Sequence, residues 1–291
     1  MKIALHLGAT CTDGDALIWS LLKDRDLLAD RGVAIPRPRR FRPQLSQIQS
    51  RLRGVSLEPE LQEQLIHFIA GDVRPERMIL SDDSFLGPPS KILEGNGLYL
   101  SAGIRTRALS ETFSEHECAF FMAIRNPATL LSQLVTQEAP VSYEDLIGET
   151  TMADLSWSDV AKRIIEDNSG VPLTIWCDED TALLWPAILR AVSGVEVDCK
   201  LAGSTDIAAK ILNEDGRAAL SGWLSAGPAP SNDEYVDFVS DVLDEYALPE
   251  ALEETVDLPG WTEAEVDQIS VAYEQDVARL ARMEGVTLLL P

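Results

Sequence analysis

Seven consecutive apolar residues, Cys118-Ala119-Phe120-Phe121-Met122-Ala123-Ile124, constrain this chain more than any other stretch. The run is strand-length and has no polar alternation. It reads as a strand buried on both faces, as found where helices cover both sides of a parallel sheet. Residues 2–7, Arg77–Leu80 and Pro172–Trp176 read as further core strands, and Val33–Ile35 is extended before Pro36. Helical patterns run over 16–30, 57–70, 106–114, 128–138, 157–167 and 181–193, and residues 84–103 are Gly/Pro-punctuated and read as irregular. This alternation predicts an α/β fold: a central parallel sheet flanked by helices. Beyond 195 the pattern changes. Residues 207–220, 232–246 and 263–284 read as helices before a last strand at Val286–Leu290. We expect one domain over 1–291, with a core at about 1–195 and an acidic helical extension at about 196–291 packed on it.

The charge distribution narrows the possible partners. The net charge is -24, yet residues 1–55 carry 10 Lys and Arg against 5 Asp and Glu. Residues 231–291 carry 2 against 16. A surface this acidic repels phosphate backbones, so nucleic acid is not an expected partner. The acidic helices are instead a candidate surface for a protein partner. Arg37, Arg39, Arg40 and Arg42 fall in a Pro-interrupted segment read as a loop, and Arg51 and Arg53 follow. They are either a solvated face or a cationic rim for a small anionic ligand. No apolar run approaches the roughly 20 residues that span a bilayer, so no membrane partner is expected. Met1–Leu7 reads as a strand rather than a leader, and the expected compartment is the cytoplasm. Cys11, Cys118, Cys177 and Cys199 show no metal-site spacing and are expected as free thiols.

Ligands of parallel α/β sheets bind beyond the carboxyl ends of the strands. Three predicted strand ends carry polar groups there: His6 to Asp15, Ser81-Asp82-Asp83, and Arg125-Asn126-Pro127. The first is a strand, a loop with Gly8 and Gly14, and a helix, an arrangement able to cradle phosphate on backbone N–H groups. It does not meet the Walker pattern GxxxxGK[ST].

The segment His6-Leu7-Gly8-Ala9-Thr10-Cys11-Thr12-Asp13-Gly14-Asp15-Ala16-Leu17 resembles the 5′-phosphosulfate loop of sulfotransferases, whose usual form is H-x-G-x-x-K-T-G-T-T-x-L. The run Phe121 to Pro127, followed by a helix with Ser132, is similar to that family's 3′-phosphate motif. Leu80 to Phe85 resembles a Ser-Ser-Glu-like segment of some bacterial members, and residues 261–291 resemble the C-terminus of bacterial sulfotransferase-like proteins. The resemblance implies a P-loop sulfotransferase-like fold and transfer of sulfate from 3′-phosphoadenosine 5′-phosphosulfate to a small-molecule acceptor. Gly8, Thr10, Cys11, Thr12, Gly14, Arg125 and Ser132 would then hold the nucleotide, with His6, Asp82 or Asp83 taking the acceptor proton.

The departures from the motif point elsewhere. Cys11 stands where the family has the lysine that stabilises charge on the leaving phosphate oxygen. Asp13 and Asp15 stand where it has Gly and Thr. Each carboxylate repels a bound anion by roughly 1–4 kcal/mol at contact distance. Gln133, not Ser132, occupies the family's serine position. Two repairs are possible: an arginine from 37–42 replaces the lysine, or a divalent metal binds Asp13, Asp15 and Asp82 or Asp83 for metal-dependent hydrolysis or transfer. A further reading is a catalytically degenerate protein that binds a ligand or partner. For single residues the structural alternatives also stand: Asp13 and Asp15 as helix caps, Asp82 and Asp83 as turn formers, Asp178–Asp180 as a loop and cap, and Trp19, Trp157, Trp176, Trp185 and Trp261 as core.

Overall fold

The structure, a computed structural model, describes residues 1–52, 56–93, 97–137, 151, 155–252, 256, 258 and 260–291. Its centre is a sheet of β1 (Lys2–His6), β2 (Val33–Ala34), β3 (Arg77–Ser81), β4 (Glu117–Ile124), β5 (Leu173–Cys177) and β6 (Val286–Leu288). The order is β2-β3-β1-β4-β5-β6, and every pairing is parallel. The chain leaves β1 toward β2 and leaves β4 toward β5. The loops after these two neighbours therefore diverge, and a crevice at their carboxyl ends is the expected ligand position of such a sheet.

Helices cover both faces, which explains the unbroken apolar run in β4. One face carries Ile3, Leu5, Met78, Leu80, Phe120, Met122 and Ile175. It is covered by α3 (Pro38–Leu52), α4 (Pro59–Ala70), α5 (Ala102–Thr112), α6 (Pro127–Gln137) and α7 (Trp157–Asp167). The other face carries Ala4, Ile79, Phe121, Ala123 and Trp176 beneath α1 (Ala16–Leu22), α2 (Arg25–Ala29) and α8 (Thr181–Ser193).

Three expectations change. Residues 38–42 are not loop: they begin α3, with Pro43 inside the helix. Phe41 and Leu45, one turn apart, are both fully buried. Burial of two such side chains contributes roughly 1.5–3 kcal/mol each, enough to offset the roughly 3 kcal/mol cost of an internal proline. Residues 16–30 form two short helices rather than one. The break lies where the 202–206 turn docks: Asp24 accepts from the Ala202 N–H at 2.7 Å, and Ser20 donates to Asp206 at 2.5 Å. Trp19 is 55% exposed, so it is not core, whereas Trp157, Trp176 and Trp185 are fully buried.

The C-terminal third does not form one layer. The short helix α9 (Ala208–Ile211), α10 (Glu214–Ala226) and α11 (Asn232–Tyr246) share a third apolar cluster with Ala182 of α8, so they lie outside that helix rather than on the sheet. After α12 (Pro249–Leu252), α13 (Glu263–Leu280) crosses to the opposite face and packs on α6 and α7. Its buried Asp276 accepts from the Ser158 N–H at 3.0 Å and from the Ser158 hydroxyl at 2.5 Å, pinning α13 to the start of α7. β6 then completes the sheet beside β5, so the sheet draws on both ends of the chain. No described helix is long and apolar enough to cross a membrane.

Candidate functional site

The expected strand ends do meet. In register, His6 of β1 lies between Ser81 of β3 and Phe121 of β4. The loop after β1 turns sharply: Gly8, Cys11, Gly14 and Asp15 all have positive φ. Gly8 is required there twice over. Its φ is +57, and a Cβ would stand 2.7 Å from the Asp83 backbone, because the loop lies directly against the turn after β3.

The protein itself occupies much of the loop's hydrogen-bonding surface. The Thr10 N–H donates to the Tyr99 hydroxyl at 3.0 Å. The Thr12 hydroxyl donates to the Ala9 carbonyl at 2.7 Å. Asp13 accepts from the Leu17 N–H at 2.9 Å and so caps the first turn of α1. Asp15 forms a two-pronged pair with Arg42, whose guanidinium also donates to the Ser81 carbonyl at 2.9 and 3.0 Å. An arginine from the basic segment does reach the loop, and a carboxylate of that loop holds it. Tyr99 is fully buried, and desolvation pushes its hydroxyl up to about 12, so it stays protonated.

Arg125 is 3% exposed. Its guanidinium donates to the Cys11 carbonyl at 2.5 Å, Gln133 Oε1 at 2.8 Å and Thr129 Oγ1 at 3.0 Å, with Asp178 Oδ2 at 3.7 Å. Its carbonyl accepts from the Trp157 indole at 2.7 Å. Thr129 and Gln133 of α6 thus both hold this guanidinium, and Ser132 is buried one residue before Gln133. Asn126 caps α6 through the Ala128 N–H at 3.0 Å. Its own N–H donates to Glu179 at 2.7 Å, and its side-chain amide donates to Ser270 of α13 at 2.9 Å. Tyr273 of α13 donates to Glu179 at 3.0 Å. The carboxyl ends of β4 and β5 are therefore bridged by α13.

The proton-accepting candidates separate. Asp82 is buried and folds back on the Ser84 N–H at 3.0 Å and hydroxyl at 2.7 Å, so it forms the turn after β3. Asp83 stands at the open rim, and partial desolvation with the neighbouring Asp82 charge raises its carboxyl above the usual range. His6 is buried, shares a 2.9 Å hydrogen bond between Nδ1 and Ser81 Oγ, and stacks on Trp176 at 5.7 Å. Its Nε2 has no hydrogen-bond partner among the described residues. Of the residues read as possible ligands of one metal, Asp13 holds the Leu17 N–H, Asp15 holds Arg42, and Asp82 holds Ser84 with Arg42 Nε 3.8 Å away. Among the described residues no group of three or more His, Cys, Asp or Glu side chains is placed to hold a metal ion.

Burial holds the His6 imidazole below its usual range, against the opposing pull of Asp13 and Asp15. A depressed folded-state value means that the fold prefers neutral His6. Its contribution to stability is present above the unfolded value and is lost as pH falls through the folded one. Urea titrations from about pH 7.5 to about pH 5 are expected to show the stability gap between wild type and His6→Asn narrowing as pH falls. Parallel pH profiles would overturn this.

Several contributors lay outside the sequence reading. Tyr99 sits in a segment expected to be irregular, 89 residues from its partner. Thr129 belongs to no motif, and the sequence reading gave Trp157, Glu179 and Tyr273 no contact with the Arg125–Asn126 strand end. For Gln133 the register of the family pattern was the available signal. Arg53 falls outside the described residues.

No protein-family model matches the chain, and no curated protein matches it. Among solved structures, a sulfotransferase from Alicyclobacillus acidocaldarius is similar, with a TM-score of 0.40 and 12% identity over 81% of this chain and 94% of that one.

Proposed function

We propose that this chain is a binding protein rather than a sulfuryl transferase, and that the loop after β1 serves as scaffold. One observation carries the reading: Arg125, the residue that the resemblance assigns to the 3′-phosphate, donates to the Cys11 carbonyl and to Gln133 inside the protein. A phosphate loop offers donors to an anion. Here the Cys11 carbonyl faces the cation, and Tyr99 engages the Thr10 N–H. Asp13, Asp15, Asp82 and Asp83 surround the same space, and among the described residues Arg42 and Arg125 are the cations beside them, so an anionic nucleotide meets net repulsion. These residues do not fit 3′-phosphoadenosine 5′-phosphosulfate.

Calorimetric titration with adenosine 3′,5′-bisphosphate, with and without magnesium or manganese, tests the reading. The expected result is no binding heat under any condition. Micromolar binding would overturn it and restore the second reading, sulfate transfer. That alternative is favoured by one specific feature: Arg42 and Arg125 flank one loop, and Arg42 brings a cation to a loop that lacks its lysine.

A further inference from the structure

A groove of about 400 Å³ opens between α10 and α11, away from the sheet's carboxyl ends. Its floor is the aromatic pair Trp223 and Phe238, stacked at 4.1 Å with planes 6° apart. Trp223 also leans on the buried Tyr235 at 6.4 Å. One wall is the Gly227-Pro228-Ala229-Pro230 turn, whose two prolines stiffen it. Lys200 closes that turn from behind by donating to the Leu224 carbonyl at 3.0 Å and to the Gly227 carbonyl. The other wall is acidic: Glu234, Asp237 and Asp241 line the groove, and no lysine or arginine does so among the described residues.

The acidic wall continues along α11. Glu234, Asp237, Asp241 and Asp244 are all exposed and follow one another at three- and four-residue steps. Residues so spaced share a face and span about 15 Å. Like charges at this spacing repel one another and weaken the helix. Among the described residues none of the four has an ion-pair partner. Glu234 is held by the Ser231 N–H and hydroxyl in the capping box at the start of α11, whereas no cation offsets Asp237, Asp241 or Asp244 among the described residues.

We propose that this groove docks a basic segment of a partner protein, with an arginine or lysine side chain laid over Trp223 and Phe238 and further cations along the carboxylate stripe. Charge complementarity selects the occupant. Nucleic acid and anionic lipid are repelled by the stripe, whereas a guanidinium gains both from the aromatic ring and from the carboxylates. The stripe is longer than one cationic head group, which favours a segment carrying several. The groove lies on α10 and α11, and the loop discussed above lies at the ends of β1, β3 and β4. Failure of either test therefore leaves the other reading standing.

Fluorescence anisotropy of a labelled arginine-rich peptide of about eight residues, long enough to run the stripe when extended, tests the proposal on the full chain. The expected result is binding that weakens with salt and that falls about tenfold or more in the Asp237→Asn/Asp241→Asn double variant. Both positions are exposed, so the double variant is expected to fold. The equal-charge control Asp267→Asn/Glu274→Gln on α13 is expected to bind like wild type. No binding by wild type would overturn the proposal. So would equal weakening in the control, which would reduce the effect to net charge. Equally tight binding of spermidine, lost in the same double variant, would overturn the peptide as occupant and leave a small polycation in its place.

Discussion

Replacing Arg125 by alanine is expected to lower the unfolding free energy by about 3 kcal/mol. The side chain is buried and donates to Cys11, Gln133 and Thr129. Truncation removes the Arg125 donor from the Cys11 carbonyl and the Gln133 oxygen, and it removes a cation 3.7 Å from Asp178. Arg125→Lys is expected to recover only part of the loss, because one ammonium cannot reproduce the forked geometry of three acceptors. Urea denaturation at neutral pH reads this directly. The prediction also separates the two readings of the site. An arginine held for an anionic ligand contributes little to the stability of the protein alone. A loss below about 0.5 kcal/mol, the usual scale of a surface change, would mean that the guanidinium is not structural.

The second large effect lies at the other end of the chain. Asp276→Ala is expected to cost about 2–4 kcal/mol. Asp276 is 3% exposed, accepts from the Ser158 N–H and from the hydroxyls of Ser156 and Ser158, and forms an ion pair with Arg279 at 3.5 Å. Its loss strips a buried backbone donor at the start of α7 of its partner and frees α13 from that face. Asp276→Asn keeps one acceptor oxygen and is expected to lose less. Because α13 bridges Asn126 and Glu179 through Ser270 and Tyr273, hydrogen exchange should rise at the start of α6 as well as in α13. Exchange confined to α13 would show that the bridge does not constrain the strand ends.

The strands were legible because their signals are local. The β4 run, Arg77–Leu80 and Pro172–Trp176 each match an observed strand to within a residue or two, since burial on both faces demands continuous apolar sequence. The helix after β4 was equally readable, because Pro127 suits a first helical turn; the Asn126 cap is seen only in the structure. The Arg-rich segment misled because proline propensity is a local rule, and burial of Phe41 and Leu45 overrode it. At the site, the sequence placed His6, Asp13, Asp82 and Arg125 together and posed structural and functional roles for several of them. It could not show which role prevailed. That depended on Tyr99, Gln133, Thr129 and Asp178, whose approach to the loop or to Arg125 leaves no periodic trace.

What the sequence determined by itself is the parallel α/β order and the set of polar groups at its carboxyl edge, because both follow from hydrophobic patterning and strand-end position. It also determined that the C-terminal third is helical and acidic. Only the tertiary structure decided that α10 and α11 lie outside α8 while α13 crosses to the opposite face, and that the cations beside the loop are neutralised from within. Patterning states which face of a helix is apolar, but many partners satisfy that demand equally. The choice among them rests on contacts between residues far apart in the chain, such as Asp276 with Ser158 and Arg125 with Cys11.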